Sequence, residues 1–221
     1  MKLLSITTAI TLSLCIAGCA TPPPPVSHDG LQLVEDRDLD QVYVKPGVNI
    51  SDYQVFALQP CSVAFRANWM RDQNTGRDFG RSRVTEEDMQ MLQDRLAAVC
   101  DEYFQQSLLE EPPYTLVDGA QGDAPVLELR PSIIDLDITA PDLNETGMVR
   151  TYTTSSGEMT LFLEAYDAAS GEIIARVVDH KEDRDDMYLE WTNRASNMAD
   201  AKRFIRSWTK ALRKGLDKTR N

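Results

Sequence analysis

The sequence predicts a single α+β domain: a mostly antiparallel sheet of about five strands with two helices packed on one face. Three observations favour this class. Two long stretches carry apolar residues at helical spacing, and several shorter stretches carry them in alternation. The elements follow one another in the order β-α-β-β-β-β-α, and no internal repeat divides the 221 residues.

The first strand is predicted at residues 53–58 and the first helix from Thr85. The Thr85 hydroxyl is placed to cap the helix, and three acidic residues fill its first turn. Val84 and Met89 have the spacing of a hydrophobic staple, and the helix ends before Pro112. One face of this helix is apolar and carries Met89, Leu92, Leu96, Cys100, Tyr103 and Phe104.

Four more strands follow. A short strand is predicted at residues 114–117, and a longer alternating one at 126–138 whose phase slips near Pro131, which indicates a bulge or an edge position. A hairpin then joins a strand beginning at Met159 to a return strand at residues 173–179. The inward face of the first hairpin strand consists of Met159, Leu161, Leu163 and Ala165.

The last predicted element is a helix that Asn197 caps. Its apolar face consists of Met198, Ala201, Phe204, Ile205, Trp208, Leu212 and Leu216.

The first 18 residues have the pattern of a cleaved bacterial lipoprotein signal. Lys2 precedes an apolar stretch that is too short for a membrane span, and Ala17 and Gly18 precede Cys19. Cys19 is therefore predicted to carry a diacylglycerol that anchors the chain to the membrane. The alternative is an ordinary secretory signal. Ala20 follows the cysteine, which by resemblance to enteric-type lipoproteins implies the periplasmic face of the outer membrane.

The remaining chain is predicted to form two parts. Residues 19–41 are expected to be a lipidated, Pro-rich tether, extended at residues 22–25, with Leu31 and Val34 as its first apolar contacts to the domain. Residues 42–218 are expected to form the single periplasmic domain. The formal net charge of −12 argues against nucleic-acid binding and against a surface that lies on anionic lipid.

Cys61 and Cys100 are the cysteines left once the signal is removed and Cys19 is acylated. In an oxidising compartment they are a candidate disulfide, which would stabilise the fold by roughly 4 kcal/mol in the chain-entropy model. The alternative is a pair of buried free thiols.

Residues 62–84 are predicted to be a long irregular loop that concentrates arginine among aromatic residues. Such loops are usually functional or disordered, and arginine forks suit carboxylate or phosphate groups. One interpretation is a loop that binds an anionic envelope component or an acidic protein face. The other is that its aromatic residues pack on the domain and its arginines pair with the protein's own carboxylates. The candidate residues are Phe65, Arg66, Trp69, Arg71 and Arg81.

No pattern in the sequence indicates catalysis, a metal or a cofactor. The only histidines are His28 and His180, and no His-Glu-x-x-His run or glycine-rich phosphate loop occurs. The acidic run at residues 182–186 lacks the spacing and glycine of a calcium loop.

Several stretches together resemble the bacterial lipoprotein family catalogued as domain of unknown function 3313. They are YVKPGV at 43–48, VAFRANW at 63–69, VTEEDM at 84–89, GEMTL at 157–161, EAYD at 164–167 and NMADA at 197–201. The resemblance covers roughly residues 30 to 217 and implies an anchored envelope protein, but the family brings no activity with it. The expected function is a non-enzymatic binding or assembly factor. The alternatives are a periplasmic hydrolase acting on cell-wall or lipid material, and a carrier of a small ligand.

Overall fold

In the computed structural model of the chain, residues 22–75, 83–122, 124–138, 151–153, 157–182, 190–192 and 194–220 are described. The helices within these ranges are α1 (Trp69–Asn74), α2 (Glu86–Leu109) and α3 (Arg194–Arg220), and a 3-10 helix occupies Ile50–Asp52. The strands are β1 (Gln32–Val34), β2 (Gln41–Val44), β3 (Val55–Leu58), β4 (Ser62–Phe65), β5 (Thr115–Val117), β6 (Val126–Asp137), β7 (Thr151–Thr153), β8 (Glu158–Asp167), β9 (Ile173–Glu182) and β10 (Glu190–Thr192).

Eight of these strands form one mixed sheet in the order β1-β2-β9-β8-β6-β3-β5, with β4 paired to β6 outside this path. Strands β7 and β10 form a separate antiparallel pair. The prediction of about five mostly antiparallel strands with two helices is therefore wrong. Strand β3 is parallel to both β5 and β6, and β4 is parallel to β6.

The parallel pairs follow from the position of α2 in the chain. Between β4 and β5 the chain passes through α1 and α2, so β5 returns parallel to β3. A connection that contains a helix permits parallel pairing, whereas a tight turn permits only antiparallel pairing. Hydrophobic alternation indicates which face of a strand is buried, but it carries no information about the direction of its neighbour.

Strands β3 and β4 lie one after the other along the same edge of β6. Strand β3 ends its pairing at Leu129, and β4 begins its pairing at Ser132. Pro60 lies in the gap between the two short strands, and Pro131 lies in β6 between their pairing sites. Proline has no N–H to donate, so the hydrogen-bond ladder on this edge of β6 is interrupted between β3 and β4, where the two prolines occur.

The predicted bulge near Pro131 lies elsewhere. Pro131 keeps its register with β8 and pairs opposite Leu163. The register shifts only between Ile134 and Asp137, where Asp135 adopts a φ of 51°.

The core lies between the sheet and the two long helices. Leu96, Cys100, Phe104 and Leu108 of α2 are buried, and Ile205, Trp208 and Leu216 of α3 join the same cluster. The sheet contributes Met159, Leu161, Leu163 and Ala165, the face predicted for β8. The Thr85 cap is confirmed as a capping box with Asp88. No helix in the described ranges is long and apolar enough to cross a membrane.

Three boundaries differ from the expected ones. Helix α1 and strand β4 lie inside the stretch 62–84 that was expected to be irregular, and β1 lies inside the stretch 19–41 that was assigned to the tether. Leu31 is 1% exposed, so packing begins before residue 42. Helix α3 begins at Arg194, three residues before the expected cap at Asn197.

Candidate functional site

Cys61 and Cys100 form a disulfide in the structure. Cys61 lies between β3 and β4, where Pro60 interrupts the strand, and Cys100 lies on the buried face of α2. The Cys61 N–H donates to the Asp101 carboxylate at 2.7 Å, so a second bond from α2 holds the same segment. The bridge thus attaches α2 to the edge of the sheet, and both cysteines are buried.

The aromatic residues of the predicted ligand loop pack into the domain. The rings of Phe65 and Trp69 stack with their centroids 4.0 Å apart. Trp69 is 1% exposed, and its Nε1 donates to the Ile138 carbonyl oxygen at 2.8 Å. Trp69 forms a small cluster with Val84, so this part of the chain has a core of its own.

The arginines of this stretch are held by the protein's own carboxylates. Arg66 donates to Asp72 at 2.7 Å and also to Asp137. Hydrogen bonds from Arg66 hold the pKa of Asp72 below its usual value, and the bonds to Asp72 and Asp137 raise the pKa of Arg66. Arg71 has a side chain 70% exposed, yet it too contacts Asp72, at 2.9 Å.

The base of this stretch is closed by one side chain. The Asn74 amide donates to the Val84 carbonyl at 2.9 Å, and its oxygen accepts from the Val84 N–H at 2.8 Å. Arg81, the remaining candidate, lies outside the described residues. The structure therefore brings Phe65, Arg66 and Trp69 together in a small packed cluster at α1.

Helix α3 carries a basic surface that the sequence analysis did not identify. The helix contains nine arginine and lysine residues against two aspartates, in a chain whose formal net charge is −12. Four of its cations recur every fourth residue, so they lie on one side about 6 Å apart along the axis. The cations exposed on this side, here called the basic face, are Arg203, Arg206, Lys210, Lys214 and Lys218.

Three members of the basic face have neighbours within the protein. Arg203 pairs with Asp200 on the same helix at 3.3 Å. Arg206 donates to the Tyr103 hydroxyl at 2.9 Å. Lys214 pairs with Asp38 at 2.5 Å, and this hydrogen bond lowers the pKa of Asp38. All three contacts lie at the surface and leave the cationic side of α3 open to solvent.

A groove runs beside the basic face, between α3 and the last turns of α2. It consists of two adjoining depressions of about 510 and 450 Å³ that share Glu110 and Lys210. Its α2 side also presents Leu109, which is exposed, and Glu111. The groove therefore combines cations on one wall with carboxylates and an apolar side chain on the other.

Arg213 fixes the helix that bears this face. It is 6% exposed, and its Nε donates to both Asp217 carboxylate oxygens at 2.9 Å. Its terminal nitrogens donate hydrogen bonds to carbonyl oxygens at and just after the C-terminal end of α2, where helix carbonyls lack partners within the helix. The carbonyl oxygens that accept are those of Ser107, Glu110 and Pro112, at 2.9, 2.9 and 2.6 Å.

The same contacts lower the pKa of Asp217, the carboxylate partner of Arg213. Burial acts to raise the pKa of Asp217, but the hydrogen bonds from Arg213 and Tyr114 outweigh it, and the pKa lies below its usual value. Arg213 is therefore occupied within the domain, whereas the cations of the basic face are exposed to solvent.

No group of three or more His, Cys, Asp or Glu residues that could hold a metal ion occurs in the described part of the chain. His180 Nδ1 lies 3.2 Å from the Thr160 hydroxyl, and its Nε2 lies 3.7 Å from Glu158.

Several solved structures are distantly similar to this chain. Two are PelC dodecamers from Paraburkholderia phytofirmans, one of a single-substitution variant, with TM-scores of 0.35 and 0.33 and identities of 10% and 9%. The alignments cover 78% and 75% of this chain and 95% and 92% of those chains. A Xanthomonas campestris protein of the DUF330 family has a TM-score of 0.33 and 13% identity, with 77% of this chain and 86% of that one covered.

No curated protein matches the chain. The family model that matches is described as a protein of unknown function, DUF3313, and it spans residues 25–212. The chain belongs to the DUF3313 family.

Proposed function

We propose that this protein is a lipid-anchored envelope protein that acts by binding an acidic partner protein, with no chemistry of its own. The diacylated residue is Cys19, and the membrane is the outer membrane, at its periplasmic face. The observation that carries the binding role is the basic face of α3 on an otherwise acidic chain.

The charge distribution supports an anionic partner. A protein with a net charge of −12 repels anions at long range, so a partner with an acidic surface can approach only where the local charge is reversed. The four cations at every fourth residue extend over about 18 Å of helix. Complementary charges of this kind mainly raise the association rate and fix the orientation of the complex.

The groove favours a protein over an anionic polymer. Glu110 and Glu111 line it opposite the lysines and would repel a uniformly charged glycan or phosphate polymer. Leu109, exposed on the same wall, suits a partner that brings apolar as well as acidic side chains. An acidic segment with an apolar anchor matches both walls.

The test is to neutralise Lys210, Lys214 and Lys218 with glutamine in the full-length protein and to recover its partners from crosslinked envelopes. We expect one or more protein partners to be lost, because the charge that attracts them is gone. The wild-type capture should also weaken as the salt concentration rises.

The matched control replaces Arg37, Arg83 and Arg95 with glutamine. These arginines are also exposed and carry the same total charge, but they lie outside α3. Equal loss in both variants would mean that net charge alone decides association. Unchanged capture after neutralisation of α3, or capture of only anionic lipid, would refute the proposal.

A further inference from the structure

The segment just after the predicted anchor is bound to the folded domain. Pro24 accepts a hydrogen bond from the Tyr43 hydroxyl at 3.1 Å, and the Leu33 N–H donates to the Pro25 carbonyl at 2.9 Å. Val26 forms a bridge with Gln32 at the start of β1, so residues 25 and 26 run back along the outer side of this strand and complete a small hairpin. The chain thus joins the sheet at its β1 edge.

A second contact holds the tip of this hairpin. Asp29 accepts from two guanidinium nitrogens of Arg176 in β9, at 3.1 and 2.5 Å. Arg176 also binds Glu164, which lies opposite it on β8. The hairpin is therefore held at its base and at its tip, and its Leu31 side chain is buried.

The short distance along the chain limits how far the domain can stand from the membrane. Pro24 lies five positions after Cys19, and a fully extended chain over five positions spans at most about 18 Å. A lipid on Cys19 would therefore keep the β1 edge close to the bilayer surface.

The same edge exposes apolar side chains. Val26 is 51% exposed and Val34 is 41% exposed. Val26 pairs with Gln32, and side chains two residues apart on a strand share a face, so both valines lie on the same side of the hairpin. The other large exposed apolar residues in the described ranges, Met91 and Leu109, lie on α2.

We infer that the β1 edge rests on the bilayer, with Val26 and Val34 contacting the lipid headgroup region. The inference depends on the lipid attachment proposed above. The contact is apolar, so it does not require anionic lipid.

The experiment places an environment-sensitive fluorophore at Val34→Cys in the full-length lipidated protein, with the disulfide left intact. The protein is reconstituted into phosphatidylcholine vesicles that contain nitroxide-labelled lipid. The matched control carries the probe at Leu109→Cys, an apolar position of similar exposure on α2. We expect blue-shifted emission and strong quenching at position 34, and emission typical of water with little quenching at position 109.

A second variant tests the apolar contact itself. Adding Val26→Asp to the position-34 probe should reduce the quenching, because a charged side chain is excluded from the headgroup boundary. Weak quenching at both positions, in protein whose mass includes the diacylglycerol, would overturn the edge contact and leave the anchor standing. A mass without acyl chains would overturn the anchor and the edge contact together.

Discussion

Replacing Arg213 with methionine should destabilise the domain severely. Its guanidinium donates to three carbonyl oxygens at the end of α2 and to the Asp217 carboxylate, and it lies over the Tyr114 ring at 4.8 Å from the centroid. Methionine fills a similar volume but donates no hydrogen bond. The variant therefore leaves a carboxylate and several carbonyls without this partner.

The expected cost is about 3 kcal/mol, the upper end for losing hydrogen bonds to a charged group, because Arg213 is buried but Asp217 is 38% exposed and stays partly solvated. The assay is unfolding in guanidinium chloride, followed by circular dichroism, with the disulfide intact. The free energy of unfolding should fall while the dependence on denaturant stays the same.

Lys214→Met supplies the matched control, since it is the next residue and its contact with Asp38 is at the surface, with the lysine side chain 57% exposed. Surface ion pairs contribute about 0–1 kcal/mol, so this variant should remain close to wild type. If Arg213→Met also stayed within about 1 kcal/mol of wild type, Arg213 would not be the group that holds α2 and α3 together.

Three further changes test other parts of the structure. Replacing Cys61 and Cys100 together with alanine should lower the free energy of unfolding by roughly 4 kcal/mol, and reductant should have the same effect on the wild type but none on the variant; the bridge closes a separation of 39 residues. Trp69→Ala should cost about 3–5 kcal/mol in the same unfolding assay, and Trp69→Phe, which loses mainly the bond to the Ile138 carbonyl, clearly less. The hydrogen bond from Arg176 lowers the pKa of Asp29 from 3.8 to about 2. The stabilisation from this bond is therefore complete above a pH of about 3.8 and is lost as the pH falls through about 2. Asp29→Asn should remove this part of the acid-induced loss of stability, and an unfolding curve between pH 5 and 2 that is parallel to wild type would contradict that assignment.

The two long helices could be predicted from the sequence because their signals are local. Thr85 and Asp88 close a capping box within one turn, and the apolar stripe that includes Ile205 and Trp208 is legible at 100° per residue. The inward face of β8 followed from simple alternation. In each case the residues that determine the element lie within the element.

The pairing of the strands could not be predicted because it depends on residues far apart in sequence. Strand β4 has four residues and is stabilised by its neighbours in the sheet, so no pattern within it predicts it. Strand β1 was assigned to the tether because it is short and is surrounded by polar residues. Its place is determined by pairing to β2, which no local pattern reveals.

The candidate site illustrates a different limit. The arginines near Trp69 have no carboxylate partner that the local sequence identifies, because Asp137 lies 71 residues from Arg66 in sequence and binds it in space. The basic face of α3 was readable from the spacing of Lys210, Lys214 and Lys218. It was missed because the net charge of the whole chain averages a basic helix with an acidic remainder.

The most direct test of the central claim is site-specific photocrosslinking in intact envelopes. A benzophenone amino acid replaces Lys210 on the basic face in one strain and Arg95, exposed on α2, in another. The account predicts a discrete crosslinked protein adduct from position 210 that is absent from position 95. No adduct at position 210, or the same adducts from both positions, would contradict it.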